Sequence, residues 1–344
     1  MANLAQLTEF DDIIDVRSPS EFAEDHIPGA LNYPVLDDEE RARIGTMYKQ
    51  VSPFDAKRAG AALVSRNIGQ HLDTHFSTMK KEWRPLVYCW RGGKRSGSMA
   101  HVLAQVGWRA GQLDGGYKAY RRQVLADMET LPTRFQWHVA CGATGSGKSR
   151  LLQALAAAGA QVLDLEDLAN HRGSLLGNLP DIPQPPQKYF ESLVWKKLHD
   201  FDPARPVYVE AESKKIGNVR VPESLIAAMW QGECLRIEAS TALRVEFLKE
   251  DYPHFLEDPA ELNHKLGFLV ELHGKERINR WHEMAEKGEW DTLVAELLEQ
   301  HYDPAYLRST LKHYPQFAEA KILKPRSLSR VAMAELADEI LAKI

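Results

Sequence analysis

The sequence predicts an α/β fold, with two consecutive domains built on mostly parallel sheets and a helical region after them. Three observations carry that expectation. Up to about Ser240, short apolar runs alternate with helix-like segments, the pattern of a parallel sheet with crossover helices. Two of these runs end in glycine-rich loops, Cys89-Trp90-Arg91-Gly92-Gly93-Lys94-Arg95-Ser96 and Gly142-Ala143-Thr144-Gly145-Ser146-Gly147-Lys148-Ser149. Beyond Ser240 the spacing of apolar residues becomes helical.

The first domain is expected over residues 1–131. Asp12-Ile13-Ile14-Asp15-Val16-Arg17 reads as a short strand, and Ser18-Pro19-Ser20-Glu21 opens a helix with a capping serine, a proline at the first position and an acid in the first turn. Asp15 and Arg17 read either as an ion pair fixing the strand end or as chemical groups. His26-Ile27-Pro28-Gly29-Ala30-Leu31-Asn32 is a turn into another strand. The stretch from Asp37 to about Glu82 carries Arg41, Arg43, Lys49, Lys57, Arg58 and Arg66. It suits a solvated helical face or a contact surface for a large anion. Leu86-Val87-Tyr88-Cys89 then presents a thiol at a strand end, before a loop and a helix containing Ser98-Met99-Ala100-His101. Arg91, Lys94, Arg95 and the helix dipole favour the thiolate, and Gly92 and Gly93 let backbone amides turn inward as an anion nest. Cys89 is therefore expected to be a nucleophile that carries a group. Leu113-Asp114-Gly115-Gly116-Tyr117 is a further strand end with a tight turn.

A linker at Pro132-Thr133-Arg134 leads into the second domain, expected over residues 132–240. Its first strand, Phe135-Gln136-Trp137-His138-Val139-Ala140-Cys141, runs into the full Gly-x-x-x-x-Gly-Lys-Ser pattern and then a helix, Leu151-Leu152-Gln153-Ala154-Leu155. That is the context a phosphate-binding loop requires. The amides of Gly145 to Lys148 would cradle a diphosphate, Lys148 would neutralise it, and the Ser149 hydroxyl is placed for a phosphate oxygen or Mg²⁺. Gln161 to Leu168 is expected to be a strand with acids at its end. Pro206 to Ser213 is expected to be another, of apolar-then-acidic Walker-B type. Its Glu210 or Glu212 would orient a metal-bound water or buttress Lys148. Glu233-Cys234-Leu235-Arg236-Ile237-Glu238 is a fourth strand, and Cys141 and Cys234 read as core residues.

Residues 241–344 form the expected helical region, ending in an amphipathic helix from Val331 to Ile344 and packed on the phosphate-loop domain. Arg280-Trp281, Tyr306 and Arg308 combine cations with aromatics, which suits nucleic-acid contact or a solvated helix face.

Composition narrows the class. Of the 344 residues, 44% are apolar and 26% charged, ordinary for a globular protein, and the net charge of −5 announces no polyanion partner on its own. No apolar run spans a bilayer and Met1-Ala2-Asn3-Leu4 lacks the features of a secretion signal, so a cytoplasmic protein is expected. Three scattered cysteines suit neither a disulfide framework nor a thiolate metal site, and no metal cluster is expected.

Asp-Val-Arg-x-Pro-x-Glu-Phe, His-Ile-Pro-Gly-Ala-x-Asn, the lone cysteine in an Arg/Gly loop and Gly-Gly-Tyr together resemble a rhodanese domain. Such domains carry sulfur or selenium on cysteine. Joined to a P-loop NTPase-like sheet domain, the whole chain resembles the bacterial tRNA 2-selenouridine synthase family. The resemblance includes Asp-Leu-Glu-x-Leu-Ala-x-His-Arg-Gly-Ser from Asp164 to Ser174, Glu-x-Glu-Ser-x-x-Ile-Gly from Glu210 to Gly217, and Tyr-Asp-Pro-x-Tyr from Tyr302 to Tyr306. It implies conversion of 2-thiouridine at tRNA position 34 to 2-selenouridine. The sulfur is geranylated with geranyl diphosphate, then the S-geranyl group is replaced by selenium from selenophosphate. Cys89 would carry the selenium, with Arg91 and Arg95 binding the anionic donor. Gly142, Thr144, Gly145, Ser146, Gly147, Lys148 and Ser149 would bind the diphosphate. Asp164, His171, Arg172, Glu210, Glu212 and Lys214 are candidates for contact with substrate or tRNA. The implied partners are the tRNA anticodon loop and an enzyme that supplies selenophosphate. No tightly bound cofactor is expected. The alternatives are an ATP-dependent sulfurtransferase and a non-enzymatic redox- or nucleotide-sensing module.

Overall fold

The structure, a computed structural model, describes residues 1–173, 176–177 and 182–343. Ser174, the last residue of the His-Arg-Gly-Ser element, and Ile344, the expected end of the last helix, lie outside the described residues. Two compact units emerge, Met1–Asp127 with Pro186–Lys196 and Met128–Pro185 with Lys197–Ile344. A short piece from the middle of the chain joins the first unit, and the C-terminal helices belong with the phosphate-loop sheet.

In the first unit, four parallel strands lie in the order β2-β1-β3-β4: β1 (Asp12–Asp15), β2 (Leu31–Asn32), β3 (Pro85–Tyr88) and β4 (Gly111–Gln112). β3 is buried along its whole length, as an apolar run in the middle of a covered parallel sheet should be. The stretch after Asp37 forms two helices, Asp38–Gln50 and Pro53–His71, capped by Asp37 and Ser52. Leu63, Val64 and Ile68 of the second helix enter the core with Ile14, Val87 and Met99, so this insertion is anchored on one face.

In the second unit, five parallel strands lie in the order β11-β10-β5-β7-β6: β5 (Trp137–Cys141), β6 (Gln161–Leu163), β7 (Val207–Glu210), β10 (Glu233–Ile237) and β11 (Ile322–Leu323). A small antiparallel pair, β8 (Lys215–Ile216) and β9 (Val219–Arg220), follows β7. The expected strand Gln161 to Leu168 stops at Leu163. Asp164 accepts a hydrogen bond from the Asp167 amide at 2.9 Å and caps a short helix, Leu165–Leu168, because a capping carboxylate competes locally with the sheet ladder. The C-terminal stretch also holds β11, which sequence reading placed within the helical region. The last helix, Arg330–Leu341, packs Met333, Ala337 and Ile340 against Leu151, Leu152 and Leu155 of the phosphate-loop helix Lys148–Ala157. No helix among the described residues is long and apolar enough to cross a membrane.

Candidate active centres: a thiol cradle and a phosphate loop

Cys89 follows β3 directly, with 3% of its surface exposed. Its Sγ accepts hydrogen bonds from the Gly93 amide at 3.3 Å and the Ser96 hydroxyl at 3.2 Å. Gly93 caps the helix Lys94–Val106, so the sulfur sits at a helix N-terminus, where partial positive charge favours an anion. The loop is locked from the next strand. Gln112 of β4 donates to the carbonyls of Gly92 at 2.7 Å and Gly93 at 3.1 Å, and to the Ser96 hydroxyl at 3.0 Å. Gly116 explains the Gly-Gly-Tyr turn. A Cβ there would fall 2.2 Å from the Cys89 carbonyl oxygen, so no side chain is tolerated.

The cations around this loop divide. Arg91 is exposed. Arg95 donates to Glu21 at 2.7 Å. Burial alone would raise the Glu21 carboxyl, but Arg95 outweighs it and holds that acid below the usual carboxylate range. The hydrogen bonds to Sγ therefore come from neutral donors. Asp15 and Arg17, both almost wholly buried, pair at 2.6 Å, and Arg17 also donates to the Asp25 carbonyl. They form the structural ion pair of the two readings open from the sequence.

In the second unit, the loop after β5 turns through Gly145 and Gly147 at φ of +78° and +83°, and Gly147 caps the helix Lys148–Ala157. A Cβ on Gly142 would lie 2.4 Å from Ser146 Oγ, so this glycine is required by close approach. Lys148 Nζ donates to the Gly142 carbonyl at 2.8 Å and stands 3.4 Å from Glu210. Burial works against its charge, yet Glu210, Tyr306, Glu166 and Glu212 outweigh it and its pKa rises. The lysine is thus stored charged inside its own loop. Ser146 Oγ is buried without a hydrogen-bond partner, an orphan that a bound oxyanion would satisfy.

Ser149 donates to Glu210 at 3.0 Å and Glu166 at 3.3 Å. Oxygens of Glu166, Glu210 and Glu212 lie within 4.8 Å of one another. Burial first, then repulsion from Glu210, pushes Glu212 up to about 8, and the same causes raise Glu166 well above its ordinary value. Three hard oxygen donors beside a hydroxyl fit Mg²⁺, which would replace protons as the neutralising charge. Asp164, raised by burial, remains a helix cap. Gly173 brings the His171-Arg172-Gly173 turn over the acids. At φ +65°, its Cβ would sit 2.6 Å from Glu166 and 3.1 Å from Glu212.

His171 is buried, and its Nδ1 accepts from the Gly173 amide at 3.1 Å. Arg172 pairs with Asp251 at 2.7 Å and lies over the Tyr252 ring, where it anchors the end of the helix Thr241–Asp251. Lys214 is exposed over the Trp230 ring.

Four residues of these centres escaped sequence reading. Gln112 carries no signal at all, and Glu166 stood unmarked inside a quoted motif. Arg244 lies in a stretch that reads simply as helical, but it is 5% exposed, donates to the Thr144 carbonyl at 2.8 Å and pairs with Asp303 at 2.6 Å. Tyr306 accepts from the Gly142 amide at 2.6 Å. It buttresses the phosphate loop instead of offering a face to a base. Trp281 is likewise fully buried, its indole donating to Glu296, which corrects the nucleic-acid reading of Arg280-Trp281.

The rhodanese-like domain family matches residues 1–123, and the family described as tRNA 2-selenouridine synthase AAA domain matches residues 135–269. The tRNA 2-selenouridine synthase of Hydrogenovibrio crunogenus is 33% identical over 322 residues, covering 86% of this chain and 88% of that one. Those of Nitrosomonas europaea and Bdellovibrio bacteriovorus are 37% and 35% identical, each over 70% of this chain. The match spans less than two thirds of either relative, 63% and 64% respectively.

Proposed function

The chain belongs to the tRNA 2-selenouridine synthase family, and from that premise we propose that it acts on a tRNA carrying 2-thiouridine at the wobble position, in two steps at two centres. In the first step the 2-thio sulfur attacks C1 of geranyl diphosphate, the C–O bond breaks and pyrophosphate leaves with the electron pair. Lys148, the amides of the Gly145 to Ser149 turn and the Ser146 hydroxyl stabilise the charge on the departing group. A thiocarbonyl sulfur leaves poorly, and alkylation makes it a good leaving group. In the second step the Cys89 thiolate attacks the selenium of selenophosphate, the Se–P bond breaks and phosphite leaves with its electron pair. The perselenide selenium then attacks C2 and expels the S-geranyl group as the thiolate. Two equivalents of an external thiol then reduce the S–Se bond, which releases 2-selenouridine and the Cys89 thiol and leaves the two equivalents as a disulfide. Mg²⁺ held by Glu166, Glu210 and Glu212 would supply further charge neutralisation at the leaving diphosphate. The target base must leave its stack to react, as bases in single-stranded loops do.

One observation supports this reading above the others. A single chain carries both a neutral-donor cradle around a thiol sulfur and a phosphate loop with a stored lysine. For the RNA, the turn between the helices Asp38–Gln50 and Pro53–His71 offers exposed Tyr48 and Phe54 beside Lys49 and Lys57. The test is incubation with 2-thiouridine tRNA, geranyl diphosphate, selenophosphate and a thiol, followed by nucleoside mass spectrometry. Formation of 2-selenouridine only when both donors are present supports the proposal. Selenouridine or sulfur exchange that needs ATP and ignores geranyl diphosphate would favour an ATP-dependent transferase instead.

A further inference from the structure

Trp90 follows Cys89 directly, yet the cysteine is 3% exposed and the tryptophan 40%. Both are pinned to the start of one helix, Gly116–Thr130. The carbonyls of Cys89 and Trp90 accept from the amides of Tyr117 and Lys118, each at 2.9 Å. The indole rests against the Tyr117 ring, with 5.2 Å between centroids and 35° between planes. Tyr117 is fixed in turn. Its hydroxyl donates to buried Asp25 at 2.8 Å, and the Arg17 guanidinium lies 4.0 Å from its ring centre. Trp90 is thus a firmly backed aromatic surface, open to solvent one residue away from the reactive sulfur.

A single exposed aromatic is ordinary, but its company here is not. Arg91 and Lys94 follow it in the loop, and Lys118 and Arg122 come from the first turns of the supporting helix. All four are exposed, and among the described residues none of them pairs with an acid. Arg17, Arg95 and Arg121, the neighbouring buried or half-buried cations, are each tied to a carboxylate. An open ring among unpaired cations suits a splayed nucleotide, whose base stacks on the ring while its flanking phosphates meet the charges. A purely apolar partner would leave those charges unanswered.

We infer that Trp90 is the stacking platform for the target base, and that it holds the splayed wobble uridine beside Cys89 for selenium transfer. The inference rests on the tRNA reading proposed above and adds the place where the base is held. Arg91, Lys94, Lys118 and Arg122 contact the backbone on either side of that nucleotide and carry no preference for the base itself.

The test is binding of the full chain to tRNA with 2-thiouridine at the wobble position and to the same tRNA abasic there, using wild type, W90F and W90A. Wild type should prefer the base-bearing tRNA by at least about fivefold, the lower end of what one stacked base contributes. W90A should bind both tRNAs alike, at the affinity of wild type for the abasic form, and W90F should keep most of the preference. Intact-protein mass spectrometry should show W90A loading selenium on Cys89 from selenophosphate as wild type does, so that the loop is known to be folded. Full preference retained by W90A would overturn the platform, as would an equal weakening of both tRNAs or a loss of selenium loading. A wild type with no preference that still forms 2-selenouridine would overturn the platform and leave the tRNA reading standing. A wild type that forms no 2-selenouridine would overturn that reading itself.

Discussion

In the first unit a glycine loop follows β3 and closes around Cys89 Sγ; in the second, another follows β5 and closes around Lys148 Nζ. Both sit at the carboxyl end of a central parallel strand and at the start of a helix, where such sheets place ligands. What occupies the centre differs. In the proposed scheme the cysteine loop carries its reacting atom covalently, so two neutral donors and a helix terminus suffice, and the nearby Arg95 pairs with Glu21. The phosphate loop is proposed to receive a visiting diphosphate, and in its absence Lys148 stands against Glu210. A carrier site and a binding site can thus share one backbone plan and differ in where the charge resides.

The largest effect should come from removing the carried atom. Cys89→Ala is expected to abolish 2-selenouridine formation and let S-geranyl-2-thiouridine accumulate, read by nucleoside mass spectrometry. Lys148→Ala should act on the other step and lower geranylation by about 10²–10³, the usual cost of losing a transition-state charge partner. Equal loss of both products in either variant would erase the distinction between the loops.

Smaller changes sharpen it. Ser96→Ala removes one of the two hydrogen bonds to Sγ. Selenium transfer should fall by up to about tenfold, with geranylation unchanged, read by nucleoside mass spectrometry.

Glu212 tests the stored charge in the phosphate loop. Its folded pKa of about 8 lies above the ordinary 4.5, so between those values the folded chain holds a proton that the unfolded chain has lost. Its stabilising contribution is full below the lower value and is lost as pH rises through the upper one. In chelator-treated protein, stability should decline from pH 5 to 8 by up to ~1.4 kcal/mol per pH unit, and Glu212→Gln should flatten that slope. The smallest effect is expected at Tyr306→Phe, which unpairs the Gly142 amide at a cost of about 1 kcal/mol in urea unfolding.

How legible these centres were in the sequence depended on the range of the interaction. The thiol cradle is built within eight residues, from Cys89 to Ser96, and the phosphate loop within another eight, from Gly142 to Ser149. Glycine positions and residue types were enough to find both. What secures each loop comes from far along the chain. Gln112 reaches the first, and Arg244 and Tyr306 reach the second across 100 and 164 residues. Nothing local marks a tyrosine on a helix as a backbone acceptor for a distant glycine. The fold class followed from the alternation of apolar runs and helices, but β11 is two residues long and pairs only because β10 leaves it an open edge. Asp164 shows the opposite failure, a local cap overriding an apolar run.

In the proposed scheme the two loops perform separable steps. Supplying tRNA that already carries S-geranyl-2-thiouridine, with selenophosphate and a thiol, tests it most directly. The Lys148→Ala protein should convert that substrate to 2-selenouridine at close to the wild-type rate, and Cys89→Ala should not convert it at all. A Lys148→Ala protein that fails on the pre-geranylated tRNA as badly as on the 2-thiouridine form would contradict the division of labour between the two loops.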